Sequence, residues 1–452
     1  MKISEILLST KGLLLNGNED DLVESFSIDS RNINNNDFFI AIKGEKFDGN
    51  DFIFDVLNKG CKGVIFDKNI DIDFKKYKDK IFIKVNNSIK ALQDMARYKR
   101  SLYDIPVVAI TGSVGKTSTK DIIASVMSEK YNVLKTEGNH NNHIGLPLTL
   151  LKLKDHNAMC IEMGMNHFNE ISLLTNILKP TIAVITNIGT AHIGNLGSRE
   201  NILKAKLEIL EGLKENGNII INNDNDLLHK WYIDNKAKYN IITYGIENES
   251  KYQAKNILNE IENSTFDINN VTKNIFVPVP GNHFIYNSLC AFAVGKILNI
   301  SNEMIKEGIK KFELSKNRIE NIDLPNDIRL ISDCYNANYD SMKAAIELLS
   351  KYKERKIAVL GDMLELGKYS EEIHSNIGKL INDNIDILIC SGEMSKYIYN
   401  NSKTNKKYYC NNNKEVEELL KDIILPKDTI LFKASNSMNF TEIVNNIKNH
   451  LK

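Results

Sequence analysis

The segment Val107-Val108-Ala109-Ile110-Thr111-Gly112-Ser113-Val114-Gly115-Lys116-Thr117 constrains the fold more than any other part of the chain. Its apolar start reads as a buried strand, its glycines as a tight loop, and the stretch from Lys116 to Lys130 as a helix. A strand, loop and helix joined in this way imply a parallel sheet, because the helix carries the chain back to begin the next strand in the same direction. The loop also suits a phosphate. Glycines let backbone N–H groups approach an anion, and the helix N-terminus adds a partial positive charge. In such loops the lysine, here Lys116, reaches the β- and γ-phosphates, and the hydroxyl of Thr117 suits Mg²⁺. Ile110 stands where the common G-x-x-x-x-G-K-[ST] pattern has its first glycine, so the flanking strand and helix carry part of the argument. ATP is the expected ligand, with Gly112, Ser113, Val114, Gly115, Lys116, Thr117 and Ser118 as candidate contacts.

The 452 residues suffice for about two to four domains. Residues 1–102 read as a small α/β domain with apolar runs at 38–42, 63–66 and 81–85, followed by a helical pattern at 89–102. Residues 103–312 read as a central, doubly wound, mostly parallel sheet around the phosphate loop, with further strands at 158–161 and 181–185. Within it, 235–280 reads as an antiparallel appendage, and helices at 286–298 and 302–312 close the segment. Residues 313–452, with strands at 328–331, 356–360, 385–389 and 429–432, resemble a small Rossmann-like domain. The fold class is therefore α/β with three domains.

Charge and cysteine usage narrow the function classes. The 58 Lys+Arg balance 58 Asp+Glu, which leaves no basic field for nucleic acid. Arginine occurs only at 31, 97, 100, 199, 318, 329 and 355, so each is a candidate for phosphate recognition. The cysteines at 61, 160, 290, 334, 390 and 410 form no C-x-x-C pair and read as small buried hydrophobes rather than a disulfide framework or zinc site. The first residues carry Glu5 and no small-residue cleavage site, and no apolar run approaches the roughly 20 residues of a membrane span. A cytoplasmic location without membrane insertion is expected.

Three further residues have metal-site character. Glu162 and His192 follow predicted strands, where open α/β sheets bind their ligands. A carboxylate suits Mg²⁺, and neutral imidazole is a less usual ligand for it. Lys206 falls among Ile202, Ile209, Leu210 and Leu213 on a helix predicted over 199–213, with Lys204, Glu208 and Glu211 toward the polar side. Two readings stand open for Lys206: its stem snorkels, or burial keeps a neutral, reactive amine.

These segments, with Glu137-Gly138-Asn139-His140-Asn141-Asn142, Thr186-Asn187-Ile188-Gly189-Thr190-Ala191-His192 and Lys204-Ala205-Lys206-Leu207-Glu208-Ile209, resemble the central domain of the Mur ligases. Ile28-Asp29-Ser30-Arg31, the run from Asp37 to Gly44, and Phe47-Asp48-Gly49 are similar to the UDP-binding domain of that family. Asp333-Cys334-Tyr335-Asn336-Ala337-Asn338 and Leu360-Gly361-Asp362-Met363-Leu364-Glu365-Leu366-Gly367 resemble the third-domain signatures of the members that add a dipeptide. The resemblance spans nearly the whole chain. It implies an ATP-dependent amide ligase that joins D-alanyl-D-alanine to UDP-N-acetylmuramoyl-tripeptide through an acyl phosphate, in peptidoglycan precursor synthesis.

The resemblance also implies roles. Lys116, Glu162, His192 and Lys206 would serve catalysis, and Thr117, Glu162, His192 and a carbamylated Lys206 would hold two Mg²⁺ ions in the family's manner. Asn287, Arg318 and Asp333 would contact ATP. Ser30, Arg31, Asn141, Asn336 and Asn338 would contact the other substrates, and a monomer is expected. Four places depart from the family pattern: Phe284, Asn50, Tyr339, and the run Lys433-Ala434-Ser435-Asn436-Ser437. The alternatives are a diaminopimelate- or lysine-adding ligase, a folylpolyglutamate synthase, and a phosphate-loop ATPase that acts as a switch.

Overall fold

The computed structural model describes residues 1–314 and 320–452. Arg318 lies outside the described residues. Three sheets follow one another along the chain.

The first comprises β1 (Leu13–Asn16), β2 (Ser25–Ser27), β3 (Asp37–Ile40), β4 (Gly63–Phe66) and β5 (Ile81–Lys84), in the order β1-β5-β4-β3-β2. Its inner strands β3 and β4 are buried along their whole length, because apolar clusters cover both faces. The Ser88–Ser101 helix covers one face with Ala91, Leu92 and Met95, a stripe at helical spacing, while Ala96 turns toward the core of the middle sheet. Its start is capped by the Asn87 side chain, which accepts from the Lys90 N–H at 2.8 Å.

The middle sheet comprises β6 (Val107–Thr111), β7 (Val133–Lys135), β8 (Ala158–Glu162), β9 (Ile182–Ile185), β10 (Asn218–Asn222), β11 (Asn240–Gly245), β12 (Tyr252–Asn259), β13 (Ser264–Ile268) and β14 (Thr272–Val277). The order is β14-β13-β12-β11-β10-β9-β6-β8-β7. Along β6, Val107 and Ala109 enter one core cluster while Val108 and Ile110 enter another, so the unbroken apolar run reflects burial on both faces. The chain leaves β6 toward β8 and later returns to its other side as β9. That reversal places a crevice beyond the carboxyl ends of these strands. The antiparallel appendage is smaller than the sequence suggested. β11 pairs in parallel with β10 and extends the main sheet, and the antiparallel pairs join β12, β13 and β14.

The third sheet comprises β15 (Glu320–Leu324), β16 (Ile328–Ser332), β17 (Lys356–Gly361), β18 (Ile387–Ser391), β19 (Lys406–Cys410) and β20 (Thr429–Lys433), ordered β15-β16-β20-β17-β18-β19. The edge strands β15 and β19 escaped the sequence reading because their residues are largely exposed and polar. One apolar cluster continues from the middle sheet to this one, joining Ile193 and Leu196 to Leu366, Ala337 and Met342.

The helix predicted over 199–213 ends at Leu207 and continues as a 3₁₀ turn, Glu208–Glu211. Glu208 is buried, contrary to its expected place on the polar side. Its carboxylate accepts from the Asn169 N–H at 2.8 Å and the Ser172 N–H at 3.1 Å, at the start of the Glu170–Leu178 helix. All six cysteines are buried and unpaired, and no helix among the described residues is long and apolar enough to cross a membrane.

Candidate active site

The carboxyl ends of the middle and third sheets enclose a cavity of about 910 Å³, to which the first sheet unit contributes Glu45. The phosphate loop forms its floor. Gly112 is required there, because a Cβ would collide with Thr186 Oγ1, and Gly115 has φ +78°, a left-handed conformation that favours glycine. The loop is held from the β9 side. Asn187 Oδ1 accepts from the Val114 N–H at 2.9 Å, the Thr186 hydroxyl donates to the Val114 carbonyl at 2.7 Å, and the Gly189 N–H donates to Ser113 Oγ at 2.9 Å. Thr186 and Asn187 thus clamp the loop. The sequence alone does not show this role of Thr186 and Asn187, since a clamp depends on β9 lying beside β6.

Lys116 and Thr117 open the Lys116–Ser128 helix. Lys116 Nζ donates to the Gly112 carbonyl at 2.9 Å, closing over the loop. The Thr117 hydroxyl donates to Glu162 Oε2 at 2.9 Å, and Asn141 Nδ2 donates to Oε1 at 2.8 Å. Glu162 is the last residue of β8 and is buried. A hydroxyl and a carboxylate at a phosphate loop are ligands that Mg²⁺ accepts, with water and phosphate oxygens completing its shell. Among the described residues no three His, Cys, Asp or Glu side chains converge as a metal cluster. A Mg²⁺ ion that shares its shell with phosphates does not need one.

Lys206 is 1% exposed. Burial pushes its ammonium well below the ordinary lysine range, and the charge of Lys116 pushes in the same direction. Lys204, two residues earlier, is exposed. The structure therefore favours a buried amine over a snorkelling stem. His192 caps the short Ile193–Leu196 helix with φ +64°, lines the cavity, and has Nδ1 2.7 Å from Glu365 Oε2 of the third sheet unit.

Asn287, on the Asn282–Ile297 helix, lines the cavity and accepts from the Thr119 hydroxyl at 3.0 Å. Phe284 is 2% exposed and packs beside His283 and Phe312, so this departure from the family pattern fills apolar space. Burial lowers the pKa of His283 to about 4, so its imidazole is neutral at neutral pH.

On the third sheet, Asp333 follows β16 and is ion-paired at 2.5 Å with Lys433, the last residue of β20. Lys433 also donates to the Asn336 carbonyl at 3.1 Å, and both charges line the cavity. In the sequence the 433–437 run stands out only as a departure from the family pattern, and nothing there marks Lys433. Asn336 and Asn338 reach the cavity as well, although Asn338 Oδ1 is occupied as the cap of the Tyr339–Ser350 helix, accepting from the Ser341 N–H at 3.0 Å.

Ser30 and Arg31 are not among the cavity residues. Arg31 is exposed and pairs with Asp29 at 2.9 Å. The other described arginines also have protein partners: Arg97 pairs with Asp94, Arg199 with Asp226, Arg329 with Asp323, and Arg355 with Asp428. Arg100, at the end of the Ser88–Ser101 helix, donates to the carbonyls of Leu178 and Lys179 and ties the first unit to the middle one.

Comparison with known proteins points to one family. The model of the Mur ligase family catalytic domain matches residues 23–100, the Mur ligase middle domain 110–295, and the Mur ligase glutamate ligase domain 317–436. The chain is 35% identical to a UDP-N-acetylmuramoyl-tripeptide–D-alanyl-D-alanine ligase of Bacillus subtilis, over 98% of each chain. Its fold is similar to that of MurF from Acinetobacter baumannii, with TM-score 0.90 and 28% identity over 99% of this chain and 98% of that one. It is also similar to MurF ligase from Thermotoga maritima in complex with ADP, with TM-score 0.82 and 26% identity over 95% and 98%.

Proposed function

The chain belongs to the Mur ligase family, and from that premise we propose that it is the ATP-dependent ligase that adds D-alanyl-D-alanine to UDP-N-acetylmuramoyl-tripeptide in peptidoglycan precursor synthesis. The observation that carries this reading is the single cavity in which the phosphate loop, Glu162 and His192 face Asp333, Asn336 and Lys433 across two sheet ends. That cavity has room for a nucleotide and a reacting carboxylate together.

The terminal carboxylate of the UDP-linked peptide attacks the γ-phosphorus of ATP, ADP leaves, and an acyl phosphate forms. The amine of the dipeptide then attacks the acyl carbon. Phosphate leaves, an amide bond remains, and the amine proton passes to solvent. The residues of this chain act mainly by position and charge. The loop N–H groups and Lys116 hold the phosphates, which brings the γ-phosphorus and the substrate carboxylate together despite their like charges. Thr117, Glu162, His192 and Lys206, carbamylated on its neutral amine, would hold Mg²⁺, which screens that repulsion when bound. Asn287 lies beside the loop on the nucleotide side, and Asp333 contacts the nucleotide from the third unit; a nucleotide contact is also proposed for Arg318, which lies outside the described residues. Asn141 orients Glu162, and Asn336 and Asn338 face the peptide end. Ser30 and Arg31 take the uridine diphosphate on the first unit, away from the main cavity. The enzyme works as a cytoplasmic monomer of three domains.

The deciding assay is ADP release by the purified protein with ATP, Mg²⁺, UDP-tripeptide and D-alanyl-D-alanine, with each component omitted in turn. Release should require both peptides, and UDP-tripeptides ending in diaminopimelate or in lysine should differ in rate. ADP release without either peptide would assign the chain to a phosphate-loop ATPase instead.

A further inference from the structure

Two non-glycine residues in the left-handed region meet at the junction of the middle and third units. His192 has φ +64° and Glu365 has φ +64°. Such backbones are strained and persist where their surroundings hold them. Here the surroundings are two backbones in direct contact. The Gly194 N–H donates to the Glu365 carbonyl at 3.2 Å, and the Tyr369 hydroxyl donates to the Gly197 carbonyl at 2.9 Å. A Cβ on Gly194 would lie 2.8 Å from both Glu365 O and Gly367 N, so no side chain fits between the segments. Leu366 is buried in the same apolar cluster as Ile193 and Leu196. This docking brings Glu365 Oε2 to 2.7 Å from His192 Nδ1.

We propose that Glu365 is a positioning residue, delivered by the third unit, that orients the His192 imidazole in the phosphate cavity. The inference rests on the ligase reading above. The contact is a poor candidate for a stability device, since the Glu365 side chain is 51% exposed and such pairs contribute little to stability. It is a good candidate for orientation. A carboxylate beside one imidazole nitrogen sets the ring plane and leaves the other nitrogen for a cation or phosphate. Nδ1 lies close to the carboxylate without an aligned hydrogen bond, and catalytic contacts often tighten only when substrate binds. Because Glu365 and His192 come from different sheet units, the ring is held only while the units are docked.

The test compares the full-length wild type with Glu365→Ala, Glu365→Gln and Gly194→Ala. kcat and KM are measured for each substrate, and Mn²⁺ binding in the presence of a non-hydrolysable ATP analogue is followed by electron paramagnetic resonance. Glu365→Ala should lower kcat about 10- to 100-fold and weaken Mn²⁺ binding by a similar factor, with KM for the UDP-substrate unchanged. Glu365→Gln should recover most of both, because its amide oxygen keeps an acceptor beside Nδ1 that can close the hydrogen bond when substrate binds. Gly194→Ala, which separates the backbones and leaves both side chains intact, should reproduce the kcat loss. Wild-type kcat and Mn²⁺ affinity in Glu365→Ala would overturn the proposal, as would a Gln variant no better than Ala or an unimpaired Gly194→Ala. An inactive wild type would instead count against the ligase reading itself.

Discussion

At the scale of single residues, Lys206 gives the sharpest expectation. It is buried beside Ile202 and Ala205 on the Arg199–Leu207 helix, while Lys204 is exposed. Burial and the nearby charge of Lys116 both favour the neutral amine. Only a neutral amine captures CO₂, and a carbamate on Lys206, as proposed above, would offer Mg²⁺ the anionic oxygen it prefers. Lys206→Ala should therefore be almost inactive in the ADP-release assay and partly rescued by added acetate. Lys204→Ala should keep near-wild-type activity. A fully active Lys206→Ala would remove this residue from the site.

At the scale of elements, Glu208 ties two helices together. The Glu170–Leu178 helix has no capping side chain of its own, because Asn169 has left-handed backbone and makes no cap hydrogen bond. Glu208 supplies the acceptor from a neighbouring 3₁₀ turn, taking the N–H groups of Asn169 and Ser172. A buried carboxylate at a helix N-terminus also gains from the positive end of the helix dipole. Glu208→Ala leaves two backbone donors unsatisfied, at about 1–3 kcal/mol. The expected outcome is a lower thermal midpoint with KM for ATP unchanged, read by calorimetry and steady-state kinetics. An unchanged midpoint would show that water replaces the carboxylate at no cost.

For the whole molecule, the issue is how firmly the third unit is docked. Its polar links to the middle unit include Gly194 to Glu365, Tyr369 to Gly197, and the His192–Glu365 contact. Junctions of this kind between domains of one chain commonly open in solution. Ligands that touch both sheet ends favour the closed form by their differential affinity for it. Saturating ATP analogue with UDP-substrate should therefore reduce the radius of gyration in small-angle scattering. Identical scattering curves in every ligand state would contradict this coupling.

Local rules account for much of what the sequence determined. The apolar run before Gly112 specifies a strand buried on both faces, and Gly115-Lys116-Thr117 specifies a phosphate loop opening a helix, because each depends on adjacent residues alone. The place of Lys206 was legible too, since helical periodicity put it among apolar neighbours. Other features needed the tertiary structure. β15 and β19 are short edge strands rich in polar residues, and pairing with a neighbour makes them strands. Glu208 sits on what reads as a polar face and is buried only because the Glu170–Leu178 helix comes to rest there. Lys433 and Asp333 are separated by most of the third unit, and the parallel pairing of β16 with β20 sets them side by side. Thr186 and Asn187 grip the phosphate loop, and Glu365 reaches His192, through contacts between strands and units distant in sequence. Sequence periodicity records which side of an element is apolar, whereas the partner that covers that side is chosen by topology.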